Sequence, residues 1–223
     1  SGGPDSLALL LLANETRPGA VEAATVDHQL RENSDAEAEQ VASVCAQLGV
    51  LHSTLTVDVA PGASVQARAR EARYAALTQW ASERGLTLLT AHHADDQAET
   101  LLMRLSRGAG LAGLAGVRPS RTMMAPNGAS VRVLRPLLSW RKQELEAIVA
   151  AAGLRAVDDP SNDDERHDRT RVRRLLSASD AIDAAGVSAS AAHLAEAEEA
   201  LGFATSRFAD ERLSEVGGLF LLR

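Results

Sequence analysis

The sequence predicts an α/β fold in which a parallel β-sheet carries helices on both faces and is followed by a helical linker. Strand-like and helix-like segments alternate as far as about residue 150, which is the pattern of such a sheet. The short apolar segment 86–91 has the composition of a strand buried on both faces. Hydrophobic residues make up 45% and charged residues 24% of the 223 residues, which suits a globular protein with a sizeable core.

Each element follows from the spacing of its apolar residues and from the turn residues that bound it. Helical spacing predicts helices over 5–13, 34–48, 64–84, 95–107, 140–152, 163–176 and 188–213. Apolar and β-branched runs predict strands over 21–27, 51–58, 86–91 and 131–135. The segment 120–130 is predicted as a loop, because its residues 126–128 (Pro-Asn-Gly) are a turn signal.

The composition excludes several classes of function. The single cysteine, Cys45, excludes sites that need two cysteines and makes a reducing cytoplasm the expected location. The 23 Lys and Arg residues against 30 Asp and Glu residues give a net charge of −7, which argues against a surface coated in nucleic-acid-binding charge. Aromatic residues make up 3%, too few for base-stacking platforms. No apolar run approaches the roughly 18 residues of a membrane helix, so no membrane partner is expected.

The hexapeptide SGGPDS at residues 1–6 predicts a phosphate-binding turn. The adjacent Gly2 and Gly3 let backbone N–H groups approach an anion without obstruction by side chains. Pro4 suits the first position of the following helix, whose positive end would face the same anion. The alternative interpretation, a polar turn that only caps the helix, stays open.

The polar side chains of this hexapeptide suggest how a pyrophosphate would be held. Ser1 and Ser6 add hydroxyl donors to the backbone donors. The carboxylate of Asp5 is repelled by phosphate unless Mg²⁺ bridges the two groups, so Asp5 is a candidate magnesium ligand through the phosphates. The hexapeptide lacks the lysine of the GxxxxGK[ST] loop, which favours a pyrophosphate that leaves as a unit.

Three polar segments, 1–6, 27–31 and 91–96, lie at the ends of predicted strands. Parallel sheets bind ligands beyond the carboxyl ends of their strands, so we expect these segments to converge on one rim. Because Ser1 begins the sequence directly on the first of these segments, we also expect the chain to be a fragment that lacks its N-terminal strand.

The hexapeptide resembles the SGGxDS loop of the PP-loop ATP pyrophosphatases, and further segments resemble the tRNA(Ile)-lysidine synthetases within that superfamily. These segments are DHQLR at 27–31, AREARY at 69–74, AHHADDQAET at 91–100, RPLL at 135–138 and DPSN at 159–162. The resemblance implies a catalytic ATP-binding domain over residues 1–176. It also implies that residues 177–223 are a helical linker and the start of a truncated C-terminal tRNA-binding region.

The resemblance implies an enzyme, a ligase that forms a carbon–nitrogen bond. In this family ATP adenylates the C2 oxygen of the wobble cytidine in an isoleucine tRNA with a CAU anticodon. The ε-amino group of free L-lysine then displaces AMP, and the product, lysidine, reads AUA codons. The implied cofactors are ATP and Mg²⁺, and the implied partners are this tRNA and lysine. Whether the protein forms a homodimer stays open.

The resemblance also assigns roles to individual residues. The residues implied to bind ATP are Ser1, Gly2, Gly3, Pro4, Asp5, Ser6, Asp27 and His92. The residues implied to be catalytic are Asp5, Arg73, Asp96 and Glu99. The residues implied to contact tRNA or the adenylate are Arg31, Arg104, Arg171 and Arg173.

The residues themselves support a lysine site at Asp96 and Glu99. Their spacing of three puts both carboxylates on one face of the first turn of a helix. Such a pair can hold an ammonium group, and one member can accept the proton that an attacking amine loses. The family places lysine recognition on the same pair. The alternative is a helix cap with a first-turn carboxylate that favours the helix dipole.

Arginines supply the candidate positive charges. Arg73, beside Tyr74, is placed to stabilise the adenylate or a tRNA phosphate. A basic cluster over 166–174 could bind RNA, or its interleaved acidic residues could neutralise it. This cluster departs from the RNRxR pattern of the family at Thr170, where the family has Asn, and this weakens the transfer of roles to the neighbouring arginines.

Three other interpretations stay open. His92 and His93 with the following aspartates could form a metal site, although adjacent residues of a strand point to opposite faces. A tRNA thiolase would share the fold, but such enzymes commonly use paired cysteines. A non-catalytic ATP-binding module would need neither the carboxylate pair nor the basic cluster.

Overall fold

The computed structural model describes residues 2–29, 34–59, 62, 65–157, 168–179, 181–216 and 219–222. Helices within this part of the chain are α1 (Pro4–Thr16), α2 (Ser34–Gln47), α3 (Val65–Glu83), α4 (Ala94–Leu105), α5 (Leu111–Leu114), α6 (Lys142–Ala151), α7 (Asp168–Ala178) and α8 (Ala184–Arg212). Strands are β1 (Glu22–Asp27), β2 (Leu51–Thr56), β3 (Leu88–Leu89), β4 (Ser120–Met124), β5 (Ser130–Leu134), β6 (Leu213–Val216) and β7 (Leu219–Leu222).

The chain divides into two compact units. The first unit comprises Ser1–Ala94 and Pro119–Asp164, and the second comprises Asp95–Arg118 and Glu165–Arg223. Each unit is therefore built from two separate stretches of sequence. None of the helices in the described ranges combines the length and the apolar character needed to cross a membrane.

The first unit contains the parallel pairs that the alternation of strands and helices predicts. β1 pairs with β2 in parallel, and β3 pairs with β5 in parallel. The predicted strand over 86–91 is shorter in the structure, because Leu86 closes the end of α3 by donating its N–H to the Ala81 carbonyl at 2.9 Å. Only Leu88 and Leu89 are left to pair with β5 as a strand.

The predicted loop over 120–130 is wrong in its first half. Residues 120–124 form β4, which pairs antiparallel with β5, so this sheet is mixed. The turn signal at 126–128 joins the two strands, and Ala125 donates its N–H to the Ala129 carbonyl at 2.8 Å. β4 is largely exposed and lacks an alternating apolar pattern, which is why periodicity does not reveal it.

Two apolar clusters hold the first unit together. One joins α1, α2 and α6, with Leu7, Val41 and Leu145 among its buried side chains. The other packs Trp80 of α3 against β3 and β5. Burial of a large aliphatic side chain contributes about 1.5–3 kcal/mol, so the first cluster anchors α1 and the loop before it.

The second unit is mainly helical. α5 packs against α8, and β6 and β7 form an antiparallel pair after α8. α8 begins at residue 184 rather than at 188, because the Asp183 carboxylate caps it by accepting the N–H groups of Ala185 and Gly186. The predicted charged helix over 163–176 corresponds to α7, and residues 163–167 lie outside the described residues.

Candidate functional site

The loop that precedes α1 has the geometry of an anion-binding turn. α1 begins at Pro4, and Gly3 is its N-cap in an extended conformation with φ −70° and ψ 160°. Gly3 makes no side-chain cap to the first turn, and the start of α1 is the positive end of the helix dipole. This geometry suits a phosphate group, and the ATP contacts assigned to the loop stay predictions.

The packing around Gly2 leaves no room for a side chain. Its carbonyl accepts the N–H of Val157 at 2.8 Å. A Cβ on Gly2 would lie 2.5 Å from Cγ2 of Val157 and 3.4 Å from Cγ2 of Val41. A side chain of any size therefore overlaps its neighbours, and this close approach holds the loop in one position.

The two adjacent histidines have different surroundings. His92 is half-buried, and its Nδ1 lies 3.1 Å from Oγ1 of Thr90. His93 is only 5% exposed, and its Nε2 lies 3.6 Å from Oδ2 of Asp5. The structure thus brings His93, not singled out as an ATP ligand by the sequence, next to the carboxylate of the loop.

The carboxylate of Asp5 suits a magnesium ion bound through phosphates. Its Oδ1 is buried and accepts no hydrogen bond from the described residues. Mg²⁺ prefers oxygen ligands and is commonly held by one or two carboxylates together with substrate phosphates. Within the described ranges, no three His, Cys, Asp or Glu side chains cluster as a metal cage. That Asp5 holds such an ion stays a prediction.

The carboxyl end of β1 is a second polar site in the first unit. Asp27 is buried, and its Oδ1 accepts the N–H of Gln29 at 2.8 Å. This bond accompanies a left-handed backbone at Gln29, with φ 50°. Burial lowers the pKa of His28, the positive charge of Arg73 lowers it further, and Asp27 opposes both effects.

Arg73 is a partly buried cation near this strand end. Its guanidinium carbon lies 5.7 Å from the centre of the Tyr74 ring, and that of Arg70 lies 5.1 Å from the same ring. Burial lowers the pKa of Arg73, Tyr74 opposes this shift, and Arg70 adds to it. An arginine keeps its positive charge in such surroundings, so the guanidinium of Arg73 can bind an anion.

The carboxylate pair of the second unit is bound to two arginines of α7. Arg169 donates from Nη2 to Oδ1 of Asp96 at 2.5 Å and from Nε to Oε2 of Glu99 at 2.5 Å. Arg173 donates from Nε to Oε1 of Glu99 at 2.8 Å. Asp96 and Glu99 therefore share a face of α4 as predicted, and their partners come from some 70 residues away in the sequence.

This cluster, formed by Asp96, Glu99, Arg169 and Arg173, balances its own charges. The Glu99 side chain is 3% exposed, and both of its oxygens accept a guanidinium N–H. Burial by itself lowers the pKa of Arg169, but the charge of Asp96 and the hydrogen bond and charge of Glu99 outweigh it, so the pKa is raised. A buried carboxylate is stable as an anion only with such partners.

Two further side chains of α4 hold the glycine-rich segment 108–118. Gln97 donates to the Val117 carbonyl at 2.8 Å and accepts the Val117 N–H at 2.6 Å. Arg104 donates to the carbonyls of Gly113 at 2.7 Å and Gly116 at 3.2 Å. These bonds satisfy backbone groups that a short connecting segment leaves without strand or helix partners. The predicted contact of Arg104 with tRNA stays a prediction.

Arg171 lines a cavity of about 370 Å³ in the second unit. The other lining residues are Met103, Ser106, Arg107, Val172 and Leu175. Alternate arginines of α7 thus face different surroundings, since Arg169 and Arg173 contact the carboxylates while Arg171 lines the cavity. The acidic residues that could neutralise the predicted basic cluster, Asp163, Asp164, Glu165 and Asp168, lie where the structure describes no side chains, so that alternative stays open.

Each unit brings some of the predicted residues together. The first unit places Asp5 near His93. In the same unit, Asp27 and Arg73 both act on the pKa of His28, and their charges shift it in opposite directions. Ser6 lies in the first turn of α1 and is half-buried. Ser1, Arg31 and the segment 159–162 lie outside the described residues. The roles of the residues in catalysis and binding stay predictions.

Sequence reasoning did not select three residues that the structure brings into these sites. His93 follows a histidine in the AHHADDQAET segment, and nothing local distinguishes the two. Gln97 lies between Asp96 and Glu99 in the sequence, and a glutamine at such a position is expected to be an exposed residue of the helix. Arg169 was visible as part of the basic cluster, but its partners on α4 are distant in the sequence.

Comparison with known proteins gives the family. The PP-loop domain family matches residues 1–179, so the chain carries a PP-loop domain, for which ATP is the implied nucleotide. A tRNA(Ile)-lysidine synthase of Novosphingobium aromaticivorans is 54% identical over 208 residues, covering 93% of this chain and 63% of the relative. One of Zymomonas mobilis subsp. mobilis is 46% identical over 224 residues, covering 100% of this chain and 68% of the relative. The chain belongs to the tRNA(Ile)-lysidine synthase family.

These matches confirm the predicted family and the predicted fold class. The chain spans 63% and 68% of the length of these two curated relatives. Among solved structures, a U34-tRNA thiolase from Methanococcus maripaludis with its [4Fe-4S] cluster superimposes with a TM-score of 0.66. That match covers 88% of this chain and 68% of the thiolase, at 18% identity, and it shows a shared fold.

Proposed function

We propose that this chain ligates free L-lysine to the wobble cytidine of the isoleucine tRNA with a CAU anticodon, at the expense of ATP. The family to which the chain belongs supports the reaction, since its relatives are tRNA(Ile)-lysidine synthases. The observation that carries the proposal for this chain is the carboxylate pair Asp96 and Glu99, which lies on one face near the start of α4 and suits an amine substrate. The thiolase alternative has only the shared fold in its favour, and the one cysteine, Cys45, is buried in an apolar cluster.

The proposed reaction has two steps. The C2 oxygen of the cytidine attacks the α-phosphorus of ATP, and pyrophosphate leaves. The ε-amino nitrogen of lysine then forms a bond to C2, the bond from C2 to the adenylate oxygen breaks, and AMP leaves. The amine loses a proton in this second step, and we assign its acceptance to a carboxylate of the Asp96 and Glu99 pair.

We assign the ATP phosphates to the loop before α1. Its backbone donors at Gly2 and Gly3, the start of the helix at Pro4, and the hydroxyls of Ser1 and Ser6 are suited to the departing pyrophosphate. Asp5 would hold Mg²⁺ through its buried Oδ1. When bound there, the ion would neutralise charge on the phosphate oxygens.

The remaining predicted residues complete the assignment. We place the nucleoside of ATP near Asp27, at the end of β1, and near His92, which follows β3 in the sequence. We assign tRNA or adenylate contacts to Arg31, Arg73, Arg171 and Arg173. Arg104 would act through the glycine-rich segment whose carbonyls it binds.

We propose further that residues 1–176 are the catalytic domain and that residues 177–223 are a helical linker leading into a tRNA-binding region. The long helix α8 supports this division, because most of the linker is one helix of 29 residues. We place the reaction in the cytoplasm. A homodimer stays a prediction, and light scattering on the purified chain checks it.

The decisive experiment measures incorporation of radiolabelled lysine into a transcript of the CAU-anticodon isoleucine tRNA, with release of AMP and pyrophosphate. The positive control is the relative from Novosphingobium aromaticivorans, and the negative control is Asp5→Ala in this chain. We expect labelling that depends on both ATP and the CAU anticodon. Binding of ATP without labelling, while the relative is active, would instead support a non-catalytic nucleotide-binding module.

A further inference from the structure

The subsite proposed for the amine of lysine is filled by a side chain of the protein itself. The guanidinium of Arg169 bridges Asp96 and Glu99, with both contacts at 2.5 Å. Arg173 takes the second oxygen of Glu99 at 2.8 Å. An arginine presents a cation at the end of an aliphatic chain, as lysine does, so Arg169 resembles the proposed substrate in charge and in reach.

A third cation cannot simply be added to this cluster. Its four side chains carry two negative and two positive charges, which already cancel. Glu99 is buried and each of its oxygens already accepts a guanidinium N–H, so an added ammonium group would have to share an oxygen of Glu99 with an arginine. In surroundings of low dielectric, an uncompensated positive charge is strongly disfavoured.

We propose that Arg169 is a positioning residue that occupies the amine subsite between Asp96 and Glu99 and leaves it when lysine enters. The inference rests on the proposed function. The entering ammonium group replaces one guanidinium, so the charge of the cluster is unchanged. The side chain of Arg169 is 41% exposed, so its guanidinium can move without unpacking a core, whereas Glu99 cannot.

The displaced guanidinium needs another anion, and a phosphate group is the anion that this reaction supplies. Arginine binds phosphate through two parallel hydrogen bonds, as it binds a carboxylate. α7 already directs Arg171 into a cavity that Arg107 also lines, so the helix presents guanidinium groups on more than one side. Lysine binding is therefore coupled to phosphate binding, by a factor in the usual range of about 5- to 150-fold.

The phosphate could come from the tRNA or from ATP, and separate arms of the experiment distinguish the two sources. Equilibrium dialysis with labelled lysine is carried out on the chain alone, with an RNA hairpin bearing the CAU loop, and with a non-hydrolysable ATP analogue. We expect the hairpin, the analogue or both to tighten lysine binding at least about 5-fold. Equal lysine affinity in all three arms would overturn the coupling.

Variants of Arg169 test the exchange itself. In Arg169→Met, lysine no longer competes with a tethered cation, so we expect lysine to bind about 5-fold or more tightly without phosphate and to lose most of its dependence on phosphate. Millimolar guanidinium ion should compete with lysine in this variant, because it can enter the vacated subsite. A merely structural role of Arg169 predicts the opposite, weaker lysine binding in the variant, and that result would overturn the proposal.

Two further variants keep the test decisive. Arg207→Met removes an exposed arginine that pairs with Glu211 on α8 at 3.0 Å, and it should leave lysine binding unchanged. Arg169→Lys keeps the charge but presents a single ammonium group in place of a planar fork, so it can no longer bridge two carboxylates as arginine does. We expect it to bind lysine more tightly than the parent and less tightly than Arg169→Met. If Arg169→Met does not fold, as thermal melting would reveal, unchanged or weaker lysine binding by Arg169→Lys overturns the proposal.

Failure of this inference can be told apart from failure of the proposed function. If the chain neither binds nor incorporates labelled lysine while the Novosphingobium relative does, the proposed function itself is wrong. If the chain incorporates lysine but the Arg169 variants bind it no more tightly, only the exchange is wrong.

Discussion

The two candidate sites are built by different means. The loop before α1 in the first unit uses backbone groups of adjacent residues, and packing of Gly2 against Val157 keeps it in position. The cluster on α4 and α7 in the second unit uses side chains whose opposite charges compensate one another. A short stretch of backbone can thus bind a polyanion through its N–H groups. A small cation instead requires carboxylates, and the protein must stabilise these carboxylates itself.

Because of this difference, the loop and the cluster should respond differently to substitutions and to salt. The loop should respond strongly to added volume, because the space around Gly2 is already filled. The cluster should respond to changes of charge, because Glu99 is buried between two arginines. Salt should affect the cluster less than exposed pairs, since buried charges are weakly screened.

Replacement of Asp5 should have the largest effect on the first site. We expect Asp5→Ala to reduce adenylation by a factor of at least about 10², because the phosphates would lose the carboxylate that we propose positions the metal. Pyrophosphate release with ATP and the tRNA measures this step. Asp210→Ala, on the exposed part of α8, is the control. Near-normal pyrophosphate release by Asp5→Ala would contradict the role of Asp5.

Replacement of Glu99 should separate the two sites by function. We expect Glu99→Ala to spare adenylation and to raise the apparent KM for lysine by about 10- to 100-fold, since hydrogen bonds to charged groups contribute about 1.5–3 kcal/mol. Lysine titrations of tRNA labelling and of pyrophosphate release measure the two effects. Glu211→Ala removes an exposed carboxylate of α8 as the control. The assignment is refuted by an unchanged apparent affinity for lysine.

Added volume should distinguish the packed glycine of the loop from an open one. We expect Gly2→Ala to lower the free energy of unfolding by about 1–3 kcal/mol, because its Cβ would overlap Val157. Gly202, within α8, has no neighbouring atom within 4 Å of the added Cβ. Gly202→Ala should instead raise the stability by about 0.5–1 kcal/mol, since alanine favours the helix. Urea unfolding compares the two variants, and equal effects would show that the loop is not closely packed.

The smallest effect concerns the pH dependence of stability at the end of β1. The pKa of His28 is lowered in the folded chain by burial and by the charge of Arg73, so the unfolded chain binds more protons between that value and 6.5. Stability should therefore rise with pH across this window and lose this contribution as the pH falls through it. His52 has a pKa lowered chiefly by burial and acts in the same direction.

Urea unfolding of His28→Gln from pH 5 to pH 7.5 measures this effect. We expect a flatter profile than that of the parent chain. His193→Gln, at an exposed position of α8, is the control and should keep the parent profile. An unchanged profile in His28→Gln would show that the surroundings of this histidine do not disfavour its charged form.

Features that depend on neighbouring residues can be predicted from the sequence alone. The glycines and proline of the hexapeptide predict the start of α1, and the spacing of Asp96 and Glu99 predicts their common face on α4. The alternation of elements predicts the parallel pairs of the first unit. These features follow from local backbone preferences and from helical periodicity, which require no knowledge of distant residues.

Features that depend on distant parts of the chain are defined by the folded structure. β4 is an exposed strand without an alternating pattern, and only its pairing with β5 defines it. Gly2 packs against Val157, and Arg169 binds Asp96, which is 73 positions away in the sequence. The fold, and not the local sequence, brings these residues into contact. Charge compensation is a property of positions in space, so the sequence can supply the charged groups but cannot show which of them neutralise one another.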